Sequence, residues 1–334
     1  MTAATKEEMH QKLIEISEMV DESLDKQLED PKLGNMVQIL TYDLQTPGKR
    51  LRPAIAYFTA LALGGDLKST IDIATSCELL HSASLMLDDI IDGDTVRHGK
   101  PTVQAAFSGQ LGLMGTYVLG TKGLEIGISQ SSEIGLLLVQ TLTSLVVGAS
   151  TELSWADWNE ETYFDIIENK TGRLFESACA IGAIMSKRKD FLYTSKRFGL
   201  TCGMLYQLCD DYTDIKKSIQ LQEPIGDIKN RNTTIPIIHA HHHTKKPEIK
   251  LLLKMYHQKV NLPDYALRLI LNEIEECKSL EYLYDLIEHR KNTAISIAQA
   301  YPTPDTRKYL EALPQFMVDA QFEEIDMPNF NGSI

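Results

Sequence analysis

Residues Ile134–Val147, IGLLLVQTLTSLVV, decide the fold class. Their apolar positions recur at i, i+3, i+4 and i+7 and not at every second residue, which is the period of a helix. Gln140, Thr141, Thr143 and Ser144 interrupt the run. It therefore predicts a buried helix and not a membrane span, which needs ~20 largely apolar residues. Outward from it the same period runs through Tyr163–Ile184, and no proline occurs between Pro101 and Pro224. Proline breaks helix interiors, so the whole stretch is free to be helical. No alternating β-branched run bounded by Asn-Gly or Asp-Gly is present, and strands are not expected. The reading is all-α. Helices are expected over Lys6–Gln27, Lys32–Leu44, Arg52–Leu63, Ser69–Gly93, Val103–Ile128, Ser132–Thr151, Thr162–Ser186, Asp190–Ser218 and Thr234–His242, with shorter ones to Ala320. Gly109, Gly112, Gly115, Gly120, Gly123 and Gly127 fall three to five residues apart, which marks either a small face for a close neighbour or local irregularity.

The chain has 334 residues, 43% apolar and 24% charged, with 33 Lys+Arg against 46 Asp+Glu and a net charge of −13. That composition is globular. No internal linker shows, so residues 1–320 are expected to form one domain, followed by an acidic, mobile tail at 321–334. The acidic balance argues against nucleic acid, whose phosphates are bound through basic patches. Five cysteines without a CxxC pair fit a reducing compartment better than a disulfide framework. The N-terminal MTAATKEEMHQKLIEISEMV has no basic region followed by an apolar one, so a cytoplasmic protein with at most peripheral membrane contact is expected. His239, His241, His242 and His243 resemble a metal tract, but adjacent residues on a helix end point apart, and an exposed helix-to-loop connection is the better reading.

Two acidic segments stand out, Leu85-Met-Leu-Asp-Asp-Ile-Ile-Asp92 and Leu205-Tyr-Gln-Leu-Cys-Asp-Asp-Tyr-Thr-Asp214, each of the form DDxxD. On a helix Asp88 and Asp92 share a face, as do Asp210 and Asp214, with Gln207 one turn earlier. A solvated acidic surface would explain them poorly, because both follow strongly apolar helices, where carboxylates are costly unless paired. Clustered Asp oxygens favour a hard cation. Mg²⁺ typically takes one or two carboxylates and fills its remaining positions with water and phosphate. Complementary positive charge lies in Gly48-Lys-Arg-Leu-Arg-Pro53, whose Lys49, Arg52 and backbone N–H groups suit a phosphate, in Arg97, and in Lys170-Thr171.

Together GKRLRP (48–53), ELLHSASLMLDDIIDGDTVRHGKPT (78–102), NKTG (169–172), GMLYQLCDDYTD (203–214) and PIGDIKNRNTTIP (224–236) resemble the trans-isoprenyl diphosphate synthases, the polyprenyl synthetase family. The likeness covers roughly residues 10–320. It implies an isoprenoid synthase type I fold, long antiparallel helices around a central cavity with the two acidic motifs facing at its mouth. It implies Mg²⁺ held by Asp88, Asp92 and Asp210, with Asp89 and Asp214 in support. Arg97 and Lys170 would hold the allylic diphosphate, and Lys49, Arg52 and His81 isopentenyl diphosphate. Thr171 and Gln207 would line the space where the allylic cation forms.

The implied activity is a Mg²⁺-dependent prenyltransferase, a homodimer or a heteromer with a small accessory subunit. Short-chain members often carry aromatics four or five residues before the first Asp. Here these are Ser84 and Ala83, with Leu80 and Cys77 further back, which implies a product longer than farnesyl. The segment departs from the family in four places. Arg97-His98 replaces two arginines, which leaves His98 a weak isopentenyl diphosphate contact. Gly115-Thr116 replaces Gly-Asp, and Glu223-Pro224 replaces Lys-Pro. Arg231-Asn-Thr-Thr234 replaces Gly-Lys-x-Thr, where Asn232 cannot supply the charge and Arg231 or Lys229 is the candidate substitute in the allylic diphosphate site. A class I terpene cyclase and a weakly active regulatory subunit are the other activities compatible with the residues.

Overall fold

Side-chain caps set the helix starts. Thr5 and Glu8 form a capping box at the first helix, and Asp66, Ser108, Ser131 and Asn159 each accept a hydrogen bond from the N–H three residues on. Such caps satisfy donors that a helix leaves unpaired. A computed structural model describes residues 3–45, 48–97, 99–156 and 158–326. In chain order the helices are α1 Lys6–Leu28, α2 Met36–Leu44, α3 Leu51–Leu63, α4 Leu67–Asp92, α5 Val103–Ala106, α6 Gly109–Gln130, α7 Ser132–Ser154, α8 Glu160–Ile167, α9 Arg173–Met185, α10 Leu192–Leu221, α11 Gly226–Asn230, α12 Ile235–His243, α13 Pro247–His257, α14 Asp264–Glu276, α15 Ser279–Ala298 and α16 Pro304–Asp326.

The all-α reading holds, with local corrections. A two-residue hairpin, β1 Val96–Arg97 paired antiparallel with β2 Lys100–Pro101, follows α4 where no strand was expected. The helix expected over Val103–Ile128 is divided at Phe107–Ser108, because Ser108 is extended and its hydroxyl caps α6. The helix expected from Lys32 starts at Met36, after a single 3-10 turn at Pro31–Leu33. The helix expected over Thr162–Ser186 carries a π turn, Glu168–Gly172, between α8 and α9. Of the anticipated tail, residues up to 326 continue α16, and 327–334 lie outside the described residues.

The main core joins α1, α3, α4, α6, α7 and α9 around Phe58, Leu80 and Phe175, none of them solvent-exposed. A second core lies under α10 to α14, around Ile215, Leu253, Tyr256 and Ile270. The α6 glycines do provide a close approach. A Cβ on Gly123 would sit 2.2 Å from Leu80 Cδ1 and 3.0 Å from the Ser76 carbonyl, so α4 lies directly on this face of α6. α7 is buried on one side only: Leu137, Leu138, Thr141 and Leu145 point inward, while Leu136, Val139, Val146, Val147 and Leu153 are exposed. It is long and apolar enough to cross a membrane by composition, yet its inward face packs on protein.

Candidate active site

α4 ends at the first acidic motif. Gly93, at φ +72°, closes the helix by donating its N–H to the Asp89 carbonyl. Asp88 and Asp92 share one face, and Asp89, a hundred degrees around the helix, points elsewhere. Asp89 is buried, and its Oδ1 accepts from Arg97 Nε at 2.6 Å. Burial raises the Asp88 pKa above the usual carboxylate range, and Glu152 and Asp92 add to the rise against the pull of Lys170. Asp92 is raised too, by burial first and then by Glu152 and Asp94, against the pull of Lys170. Lys170 is the shared counter-charge: its ammonium bonds Glu152 and lies 3.8 Å from Asp88 Oδ1.

Lys170 and Thr171 are held in the π turn, a form that recurs at functional sites. The turn packs against α7 at Gly148, where a Cβ would meet the Lys170 backbone N at 2.9 Å. Thr171 Oγ1 donates to Gln207 Oε1 at 2.9 Å, and Gln207 Nε2 donates to Asp211 Oδ1 at 2.9 Å. Tyr163 completes the network by donating its hydroxyl proton to Asp211 Oδ2. Asp211 is pushed up to about 7, chiefly by burial and further by Asp210 and Asp214, although the Tyr163 and Gln207 bonds oppose this. Asp210 is exposed and Asp214 half-buried, on an α10 that continues past the motif to Leu221. The Asp227 backbone N–H donates to Asp214 Oδ2 at 3.2 Å, and Asn232 Nδ2 donates to Asp227 Oδ1 at 3.0 Å.

The basic turn before α3 divides its labour. Arg50, at φ +41°, is buried and bonds Glu78, Asp21 and the Leu44 carbonyl. Arg52 instead lays its guanidinium 4.8 Å from the Phe175 ring centroid, and its Nε is buried without a hydrogen-bond partner. Burial lowers the Arg52 pKa while Glu78 and Tyr206 oppose the drop. An unspent guanidinium in this position is suited to an anionic ligand. Lys49 and His81 are half-buried, and His98 lies outside the described residues. Lys229 is exposed, and Arg231 Nη1 donates to Asn261 Oδ1 at 3.1 Å. Among the chain-length positions, Ala83, Leu80 and Cys77 are buried, and half-buried Ser84 donates its hydroxyl to the His81 carbonyl at 2.7 Å. The histidine tract ends α12 with His242 and His243 exposed, as expected of a helix-to-loop connection, but His239 and His241 are half-buried, His239 stacking on Tyr282 and His241 lying against Trp158.

The donor set fits a hard divalent cation. It consists of carboxylate oxygens in excess over nearby ammonium groups, several with pKa values raised by burial and mutual repulsion, and added positive charge would relieve that repulsion. Among the described residues, no three His, Cys, Asp or Glu side chains already converge on one point. Phosphate oxygens are the natural remaining ligands. Glu152 and Lys259 have no motif that marks them in the sequence, whereas Asp211 lies inside the second DDxxD. Asp227 is marked too, since it follows the glycine of PIGDIKNRNTTIP.

A family model described as Polyprenyl synthetase matches residues 34–271. Octaprenyl diphosphate synthase of Escherichia coli (strain K12) is 28% identical over 306 residues, 86% of this chain and 92% of that one. Heptaprenyl diphosphate synthase component 2 of Bacillus subtilis (strain 168) is 28% identical over 287 residues, 84% of this chain and 81% of that one. The crystal structure of a decaprenyl diphosphate synthase from Rhodobacter capsulatus superposes with a TM-score of 0.85 at 21% identity, covering 95% of this chain and 99% of that one.

Proposed function

Because this chain belongs to the polyprenyl synthetase family, we propose that it condenses isopentenyl diphosphate with an allylic diphosphate in a Mg²⁺-dependent reaction. The observation that carries this reading is the π turn. Lys170 reaches Asp88 of the first acidic motif, and its neighbour Thr171 is bonded to Gln207 on the helix of the second. Two adjacent residues thus tie together two motifs far apart in the chain, as a reaction centred on one diphosphate requires.

Mg²⁺ would be held by Asp88 and Asp92 on one side and Asp210 and Asp214 on the other, and supplies Lewis-acid stabilisation of the leaving diphosphate. Lys170 and Arg97 place fixed positive charge where negative charge develops. Thr171 and Gln207 present hydroxyl and amide oxygens to the cationic end of the allylic chain. Arg52, with Lys49 and His81, binds isopentenyl diphosphate so that its double bond faces that carbon. The new bond forms there, and the proton lost afterwards passes to the released diphosphate.

Small residues at Ala83 and Ser84 support a product longer than farnesyl. The exposed apolar residues of α6 and α7, Met114, Tyr117, Leu136, Val139, Val146 and Val147, support a homodimer. The name of the Bacillus subtilis relative, a component 2, keeps a heteromer with an accessory subunit as the alternative assembly. The test is incubation of purified protein with Mg²⁺, labelled isopentenyl diphosphate and allylic diphosphates of several lengths. Elongated diphosphates are expected. Released hydrocarbon would make it a cyclase, and no turnover with or without an accessory subunit would make it a regulatory protein.

A further inference from the structure

Lys259 follows α13 and belongs to neither acidic motif, nor to any of the five short segments at 48–53, 78–102, 169–172, 203–214 and 224–236. The turn that presents it is the hydrogen-bonded stop of a helix: Lys259 N–H donates to the Tyr256 carbonyl at 2.9 Å and Val260 N–H to the Met255 carbonyl at 3.0 Å. Lys259 itself sits at φ +55°, a position where glycine is the usual residue. Its side chain turns toward the loop after the second motif, where Nζ donates to Asn232 Oδ1 at 2.7 Å and to the Asn230 carbonyl at 3.2 Å. Asn232 in turn bonds Asp227, and Asp227 bonds Asp214. One short chain of hydrogen bonds therefore joins the ammonium to the second acidic motif.

The placement is rigid. Tyr256, fully buried on α13, holds its hydroxyl 3.0 Å from the Asp227 carbonyl and 2.9 Å from the Asn232 carbonyl, donating its one proton between them. The loop and the helix that Lys259 follows are thus joined to each other. Lys259 also interacts with acidic groups of both halves of the site, Glu152 and Asp92 on one side and Asp227 on the other. Of the other cations near the site, Arg97 and Lys170 are bonded to carboxylates, Asp89 and Glu152, whereas Arg231 donates Nη1 to the neutral Asn261 and its Nε is buried without a partner. Among the described residues, the hydrogen bonds of the Lys259 ammonium go to neutral oxygens, those of Asn232 and Asn230. Neutral partners are readily exchanged for phosphate oxygens, because a charge-assisted bond to an anion is stronger than one to an amide.

We propose that Lys259 binds the diphosphate of the allylic substrate, supplying from the turn after α13 the positive charge that Asn232 leaves out of the 231–234 segment. The inference rests on the synthase reading above. It is tested by calorimetric titration of inorganic pyrophosphate with Mg²⁺ into the full-length wild type, Lys259→Ala, Lys259→Arg and the double variant Lys259→Ala/Asn232→Lys, with the Tm of each recorded. The wild type should bind, Lys259→Ala should bind about tenfold or more weakly at unchanged Tm, and either charge-restoring variant should recover most of the loss. In turnover the loss should appear in KM for the allylic diphosphate and not in KM for isopentenyl diphosphate. Wild-type-like binding by Lys259→Ala, or a loss that neither restoring variant repairs, would overturn the role of Lys259 and leave the synthase reading intact. Failure of the wild type itself to bind pyrophosphate would overturn both.

Discussion

Gln207 and Asp211 are one helical turn apart on α10, and the bond from Gln207 Nε2 to Asp211 Oδ1, 2.9 Å long, turns the Gln207 amide oxygen toward Thr171. The orientation of this amide is therefore set by a carboxylate in the second acidic motif. Replacing Gln207 by Leu removes a partner from both Thr171 and buried Asp211, and leaving buried polar groups unsatisfied costs about 1–3 kcal/mol each. Gln207→Leu should lower stability in denaturant unfolding by that order and reduce kcat more than either KM. An unchanged kcat would show that the network does not position Thr171.

Arg50 and Arg52 should behave oppositely despite being two residues apart. Arg50 is 7% exposed and makes a buried ion pair with Glu78 at 2.9 Å. Breaking such a pair from one side is destabilising by about 3–5 kcal/mol. Arg50→Ala should therefore lose much of its stability, as read by urea unfolding. Arg52→Ala should keep its Tm within a few degrees and raise KM for isopentenyl diphosphate. Equal Tm losses in the two variants would contradict this division.

Two contacts between α4 and its surroundings test different claims. Gly123→Ala pushes a Cβ against Leu80 and the Ser76 backbone, and overpacking of this kind costs about 1–3 kcal/mol. Ala83→Phe introduces bulk on the same helix five residues before Asp88, and chromatography of its products should show a shift to shorter prenyl chains. An unchanged product length would remove the steric argument for a product longer than farnesyl.

Stability should also report on the histidines of α12 and α13. Trp158 lies against His241, with ring centroids 4.0 Å apart, and stacks on His257 at 4.9 Å. Burial, aided by His242 and Lys250, holds the His241 pKa down to about 4, and burial lowers His257 as well. A lowered folded-state pKa means that the unfolded chain binds more protons between that value and its own pKa of ~6.5. The contribution is complete above about pH 6.5 and is lost as pH falls toward about 4. In thermal melts the wild type should lose stability relative to His241→Gln between about pH 7 and about pH 5. A gap that stays constant over that range would contradict the assignment.

The parts of the molecule that were legible beforehand are those with local causes. Helical periodicity placed α7 and α9, and the i, i+4 spacing of Asp88 and Asp92 put both on one face of α4. The π turn at Glu168–Gly172 was not legible, because one extra residue in a turn scarcely alters an apolar pattern read over a long window. The break before α6 did have a signal, Ser108 followed by a glycine, which was outweighed by the apolar spacing on either side. Glu152 and Lys259 reach the site only through tertiary packing, from the end of α7 and the turn after α13, and nothing in their immediate sequence marks them. The exposed side of α7 could not be told from its inner side, since both are apolar.

The central claim is that the two acidic motifs act together on one diphosphate through divalent cations. It is tested most directly by a crystal structure with Mn²⁺ in place of Mg²⁺ and a thio-linked, uncleavable allylic diphosphate, with the metal located by its anomalous signal. Metal density should be bounded by Asp88 and Asp92 on α4 and by Asp210 and Asp214 on α10, with diphosphate oxygens between them and Lys170 against the same group. Diphosphate bound elsewhere, or motifs that bind the analogue with no metal between them, would contradict it.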